Sequence, residues 1–171
     1  MKWRDYQSED KTACLEIFQS NVPDYFAPNE LSDVTRLLDE TLCRYFVVEN
    51  DENQIIASGG IWIDPIENSA TLCWVMVARH YHGKGIGRLL VLRLLNLLRL
   101  FPFVQFVKLD TSQHTTVFYE KLGFTKCGFV ENYYADGLHR YDMAMVWNLA
   151  NQEKVFTNLT ALQLPDECER N

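Results

Sequence analysis

The stretch Thr71 to Arg88 constrains this chain more than any other. An almost unbroken apolar run, Thr71–Val77 (TLCWVMV), leads into His82-Gly83-Lys84-Gly85-Ile86-Gly87-Arg88. An apolar segment, Ile86 to Phe101, follows directly. A continuous apolar run of strand length reads as a central strand covered on both faces. Alternate glycines let the backbone turn tightly and approach a ligand without Cβ clashes. The helix that begins there presents unpaired N–H groups and a positive dipole end, a ready site for phosphate or pyrophosphate. Lys84 and Arg88 add positive charge. A P-loop is excluded, because no glycine followed by four residues and Gly-Lys-Ser/Thr occurs. A dinucleotide fingerprint would need glycine at 88, where Arg88 stands.

Charge points the same way. The chain carries a net charge of −7, yet residues 71–118 hold one acid, Asp110, against six bases. An acidic chain with one basic segment does not suit nucleic acid, which asks for a broad basic face. It suits one compact anion bound at that segment. The apolar segment Ile86–Phe101 spans roughly 16 residues at ~1.5 Å each, short of the ~30 Å of a bilayer core. It reads as a core helix, so no membrane partner is expected. The first residues, MKWRDYQSEDK, lack the apolar core of a secretory signal, and a cytoplasmic location is the expectation. Cysteines at 14, 43, 73, 127 and 168 form no CxxC pair. Neither a metal nor a disulfide framework is expected, and the thiols read as buried.

The remaining pattern reads as β, α, α, β, β, β, α, β, α, β, β, an α/β chain with a mixed sheet and helices on both faces. Lys2–Tyr6 is a short strand, with Ser8 as the expected cap of the helix after it. Leu31, Val34, Leu37, Leu38 and Leu42 line one side of a second helix. Arg44–Glu49 and Gln54–Ile63 are strands, and Gly59-Gly60 marks a bulge or close approach. Pro102 stops the long helix, Phe103–Leu109 is a strand, and Gln113–Leu122 is a helix with Gly123 beyond its end. Thr125–Tyr134 and Leu138–Trp147 form a hairpin turning at Asp136-Gly137. Residues 148–171 read as an appended tail. Its Val155, Phe156, Leu159, Leu162 and Leu164 leave two roles open: a homodimer contact, or a cap on this domain.

The second motif is Ser112–Phe124 (SQHTTVFYEKLGF), a helix that carries Tyr119. Val75–Arg88 followed at this distance by FYEKLGF resembles the GNAT superfamily of acetyl-CoA-dependent N-acetyltransferases. The family's cofactor signature, Gln/Arg-x-x-Gly-x-Gly/Ala, falls on His82–Gly87. The resemblance covers about residues 1–149, leaving 150–171 as a C-terminal extension. It implies a mostly antiparallel sheet of about seven strands, splayed between the fourth, Thr71–Val77, and the fifth, Phe103–Leu109. It implies acetyl-CoA as co-substrate and no metal, with the pantetheine arm on backbone at Val75 and Val77. The pyrophosphate would lie on Gly83, Lys84, Gly85, Ile86, Gly87 and Arg88. Three positions depart from the pattern. His82 replaces the usual Gln/Arg and implies a weaker, pH-dependent phosphate donor. Ser112 replaces the Asn that commonly holds the cofactor arm. Thr71 stands where some members carry a catalytic glutamate.

The implied reaction is acetylation of a primary amine, of a small molecule or peptide, by direct attack on the thioester. The alternative is a non-catalytic acyl-CoA sensor, which the glycine loop would serve equally. Tyr119 is the family-matched donor to the departing thiolate. No general base is assigned: Asp64, Glu67, Glu131 and His139 are candidates without a signature. The acceptor is expected between the loop Asn21–Asn29 and the hairpin Glu131–His139. Tyr25, Phe26, Tyr133 and Tyr134 would be its walls, and Asp24 and Asp136 its cation partners.

Overall fold

The computed structural model describes residues 1–162. Leu164 and Cys168 lie outside the described residues. Strands β1 (Lys2–Asp5), β2 (Arg44–Glu49), β3 (Ile55–Asp64), β4 (Ser69–Val77), β5 (Phe106–Ser112), β6 (Thr125–Ala135) and β7 (Leu138–Val146) form one sheet in the order β1-β2-β3-β4-β5-β7-β6. Every neighbouring pair is antiparallel except β4 and β5, which run parallel. Helices α1 (Lys11–Ser20), α2 (Leu31–Glu40), α3 (Ile86–Asn96), α4 (Thr116–Leu122) and α5 (Leu149–Ala161) complete the fold.

Period-2 alternation sorts β2 between two cores. Phe46 and Val48 face a cluster built with Leu90, Leu94, Leu95, Tyr119 and Leu122 of α3 and α4. Tyr45 and Val47 face the other cluster, with Cys14, Ile17, Phe18, Val34, Leu37 and Leu38 of α1 and α2. Helices therefore cover both faces. The tail is not merely appended, because Val155 and Leu159 of α5 join the α3 cluster. Arg88 Nη2 also donates to Asn158 Oδ1 at 2.6 Å. Phe156 and Leu162 stay exposed.

Four readings shift on contact with the structure. Ser8 does not cap: it lies inside a short 3-10 turn, and the Asp10 carboxylate accepts from Gln7 N–H at 2.8 Å instead. Leu42 lies beyond α2 and is exposed. The fifth strand starts at Phe106, since residues 101–104 turn first, Val104 N–H donating to Phe101 O. Helix α4 starts at Thr116, because Thr115 N–H closes a turn on Ser112 O. Of the described cysteines only Cys14 is buried; Cys43 and Cys73 are half-buried and Cys127 is exposed, and all four are free thiols. Among the described residues no helix is long and apolar enough to cross a membrane, and no group of three or more His, Cys, Asp or Glu could hold a metal ion.

Candidate active site

The site grows out of the parting of β4 and β5. The two strands pair only from Ser69–Thr71 to Phe106–Lys108. Beyond that register β4 bulges. Cys73 opposes Gly60 and Met76 opposes Ser58, so Trp74 and Val75 together face Gly59. Trp74 sits at φ 45°, a conformation bulky residues rarely adopt. Gly59 and Gly60 permit the bulge. A Cβ at 59 would stand 3.2 Å from Val75 Cα, and one at 60 would stand 2.6 Å from Cys43 Sγ. The bulge turns the end of β4 away from β5. Between the parted ends lies a cavity of about 720 Å³.

Val75, Val77, His82, Gly83, Gly85, Ile86, Gly87 and Arg88 line it, as do Ser112 and Tyr119. Gly83 and Gly85 have φ of +76° and +82°, and a Cβ built on either meets nothing within 4 Å. Their faces are therefore open, and the residues at the start of α3 lack intrahelical partners for their N–H groups. This loop fits a pyrophosphate in both shape and sign. Ser112 Oγ fits the rest of the expected cofactor: its residue is 4% exposed, and the oxygen has no hydrogen-bond partner among the described residues. A buried hydroxyl left unpaired costs about 1–3 kcal/mol, which a bound amide would relieve.

Three expected contacts differ. His82 Nε2 donates to Val77 O at 2.9 Å, because a carbonyl oxygen can only accept. Its imidazole thus clamps the β4 end rather than pointing a free donor at the loop. Lys84 leaves the cavity wall and puts its ammonium over the Tyr81 ring at 4.7 Å. Tyr133 is exposed and does not line the cavity; Arg140 lies over its ring at 4.9 Å.

Tyr119 is 7% exposed and packs edge-on against Phe118 and Phe124. Burial, and then the negative charge of Asp110, push its phenol well above the ordinary tyrosine range. It remains a proton donor at neutral pH.

Tyr25, Phe26 and Tyr134 line the same cavity with Trp74 and His114, and the Tyr25 ring stands edge-on to His82 at 5.1 Å. Asp24 pairs with Arg79 at 2.9 Å, and Arg79 in turn covers the Tyr25 ring at 4.7 Å. Two carboxyls that belong to no sequence motif stand in the same wall. Glu30, at the start of α2, and Asp110, near the end of β5, both line the cavity. The Tyr134 hydroxyl donates to Asp110 Oδ2 at 2.6 Å. Burial first, and then the charges of Asp110 and Asp33, raise the Glu30 carboxyl to about 7, against a backbone N–H from Ala27 that lowers it. The four base candidates read from sequence do not line the cavity. Asp64 caps its own turn through the N–H groups of Ile66 and Glu67, and His139 Nδ1 accepts from Asn132 N–H. One signal for Asp110 was in the sequence: it is the lone acid of the basic segment. Glu30 had none.

The acetyltransferase (GNAT) domain family matches residues 41–126, half of the chain. The chain belongs to the GNAT acetyltransferase family. A search of curated proteins gives no match to the sequence. Among solved structures, this acetyltransferase is similar to a GNAT-family protein from Desulfovibrio desulfuricans at 22% identity, TM-score 0.71, covering 85% of this chain and 98% of that one. It is similar to the ribosomal-protein-S18-alanine N-acetyltransferase from Escherichia coli at 18% identity, TM-score 0.70, over 86% and 94%. It is also similar to a spermidine N-acetyltransferase chimera from Vibrio cholerae at 19% identity, TM-score 0.70, over 91% and 97%. At these identities the likeness carries the fold. The splayed mixed sheet expected from the sequence is the one this acetyltransferase has.

Proposed function

We propose that this acetyltransferase moves an acetyl group from acetyl-CoA to a primary amine, of a small molecule or peptide, by direct attack on the thioester. One observation carries the reading. The open glycine faces at the start of α3, the unpaired Ser112 hydroxyl and the protonated Tyr119 phenol share one cavity between the parted strands. The solved neighbours named for ribosomal-protein alanine and spermidine acetylation support amine acceptors.

Bound acetyl-CoA supplies an acyl group already activated as a thioester. Backbone N–H groups at Gly83–Arg88 hold the pyrophosphate. Val75, Val77 and the Ser112 hydroxyl orient the arm along the β4 wall. Backbone N–H groups near Val75–Val77 polarise the acyl carbonyl. Tyr119 gives its proton to the departing sulfur. The apolar walls Phe26, Trp74 and Phe118 keep bulk water from the reacting centre. In this reading residues 1–149 hold both substrate sites and 150–171 extend the domain.

The test is a thiol-release assay with acetyl-CoA and a panel of amines, run beside titration calorimetry with CoA. Saturable CoA binding and amine-dependent thiol release are expected. Binding of CoA without release on any amine would leave a binding module, and no binding at all would end the proposal.

A further inference from the structure

The acetyl transfer needs a group that takes a proton from the acceptor, since an alkyl amine with a pKa near ~10 arrives protonated at neutral pH. Two carboxyls, Glu30 and Asp110, line the cavity, and they are placed differently. Glu30 Oε2 accepts from Ala27 N–H at 2.6 Å, which fixes the side chain at the start of α2 and leaves Oε1 for exchange with a ligand. Asp110 stands on β5 two residues before Ser112, so both project from one face of that strand. That face looks toward the α1–α2 loop, because Val107 and Leu109 on the other face belong to the α3 cluster. Tyr134 joins the carboxyls: it donates to Asp110 and also feels the charge of Glu30.

Resting on the acetyltransferase reading, we propose that Glu30 is the general base and that Asp110 draws the acceptor in as an alkylammonium, so that the enzyme takes cationic amines bearing no carboxylate near the reacting nitrogen. The acidic pair does not stand alone. The unpaired Ser112 hydroxyl, assigned above to the cofactor arm, lines the same cavity and marks it as a ligand site. Aromatic walls from Tyr25, Phe26 and Trp74 suit the alkyl part and the cation alike.

The proton count closes. Glu30 Oε1 takes one proton from the ammonium, and the freed lone pair forms the C–N bond to the acyl carbon. The C–S bond breaks with its electron pair on sulfur, which takes the Tyr119 phenol proton. The second proton shed by nitrogen restores that phenol, and Glu30 releases the first to solvent.

The charged and titratable groups around Glu30 are Asp33 on its own helix, Asp110 on β5 and Tyr134 on β6. His82 and His114 line the same cavity. Arg140 on β7 acts on Asp110 but is held by Asp142 at 2.7 Å. Burial and the like charges hold the Glu30 carboxyl at about 7, where a base works best near neutral pH.

The experiment measures kcat/KM from pH 5.5 to 9 by thiol release with acetyl-CoA and butylamine, 1,4-diaminobutane or 4-aminobutyrate. Wild type, Glu30→Gln and Asp110→Asn are compared, with CoA affinity by calorimetry as the control on folding. Wild-type kcat/KM should rise through pH 7 and level off. Glu30→Gln should bind CoA normally, lose that limb and fall ~10²-fold at pH 7.5. Wild type should favour butylamine over 4-aminobutyrate by about tenfold or more, and Asp110→Asn should narrow the gap. Wild-type turnover with an unchanged rate and limb in Glu30→Gln overturns the base assignment alone. Equal use of 4-aminobutyrate overturns the acceptor class. A wild type that binds no CoA overturns the acetyltransferase reading beneath both, and one that acetylates none of the three amines overturns this proposal.

Discussion

Asn21 Nδ2 donates to Val77 O at 2.9 Å, across 56 residues of chain, and to Ile17 O at 2.8 Å. The amide thereby ties the last turn of α1 to the last residue of β4, in the wall of the cavity. His82 Nε2 donates to the same carbonyl. Two side chains on one acceptor should not behave independently. Asn21→Ala should cost about 1–3 kcal/mol, because buried carbonyls lose a donor. In a double-mutant cycle with His82→Ala, chemical denaturation should return a coupling of about 0.5–1.5 kcal/mol. Additive costs would mean that the carbonyl is not shared in solution.

Tyr119 is separable from cofactor binding. Its phenol is held protonated by burial and then by Asp110, and its ring packs on Phe118 and Phe124. Tyr119→Phe keeps the ring and removes the proton donor. Turnover should drop ~10²-fold or more with CoA affinity unchanged. A mutant with wild-type turnover would return Tyr119 to a packing role.

At Gly85 the cost of a side chain is backbone, not collision. Its φ is +82° and a new Cβ would meet nothing within 4 Å. Gly85→Ala should therefore strain the loop by about 1–2 kcal/mol. If that strain falls on the conformation that grips the pyrophosphate, calorimetry should show CoA binding weakened about tenfold or more. Gly137 has φ +72° and similarly open space in the β6–β7 turn, so Gly137→Ala serves as the control that strains a loop away from the cofactor.

How much of this was readable in the sequence follows from the range of each interaction. The apolar run of β4, the glycine loop and the helix stop at Gly123 are local, and their residues announce them. Gly59-Gly60 announced a bulge, and the register of β3 on β4 has one. The sequence pattern starts α4 at Gln113, a good helix former, but that side chain is used elsewhere: it donates to Gly137 O and accepts from His139 N–H across the hairpin. The burial of Val155 and Leu159 was undecidable because nothing in 148–162 says which surface covers it. Glu30 was invisible for the same reason. A glutamate in the first helical turn is ordinary, and only the sheet topology brings it to the cavity that Asp110 lines.

Arg4 should matter to stability far from the site. It donates to Asp10 at 2.6 and 2.8 Å and to Glu49 at 2.6 Å, and both acids are buried. The hydrogen bond from Arg4, the largest influence, holds the Asp10 carboxyl below the ordinary range. Arg4→Ala leaves Asp10 with only the Gln7 N–H and Glu49 with only Lys2, at 3.5 Å. Since Arg4 is itself part-exposed, the expected loss is about 2 kcal/mol rather than the larger cost of a fully buried pair. A depressed carboxyl stabilises above its unfolded pKa and loses that contribution as pH falls through the folded one. The gap between wild type and Arg4→Ala should therefore close as pH drops toward and below 3.8.

Glu30 runs the opposite way, and its stability signature does not depend on any amine being found. Burial raises the carboxyl from 4.5 to about 7. The folded chain then binds a proton that the unfolded chain has already released in the window between these values. Stability from this group is fully present below pH 4.5 and is lost as pH rises through about 7. Above that, an ionised Glu30 sits in a half-buried wall beside Asp110. Glu30→Gln keeps an acceptor for Ala27 N–H and cannot ionise. It should match wild type near pH 5 and exceed it at pH 8 by about 1 kcal/mol, after discounting for partial exposure, or about 2–4 °C in Tm. Thermal unfolding at the two pH values reads this directly. A constant offset at both would mean that Glu30 titrates as an ordinary surface carboxyl, leaving it unsuited to serve as a base at neutral pH.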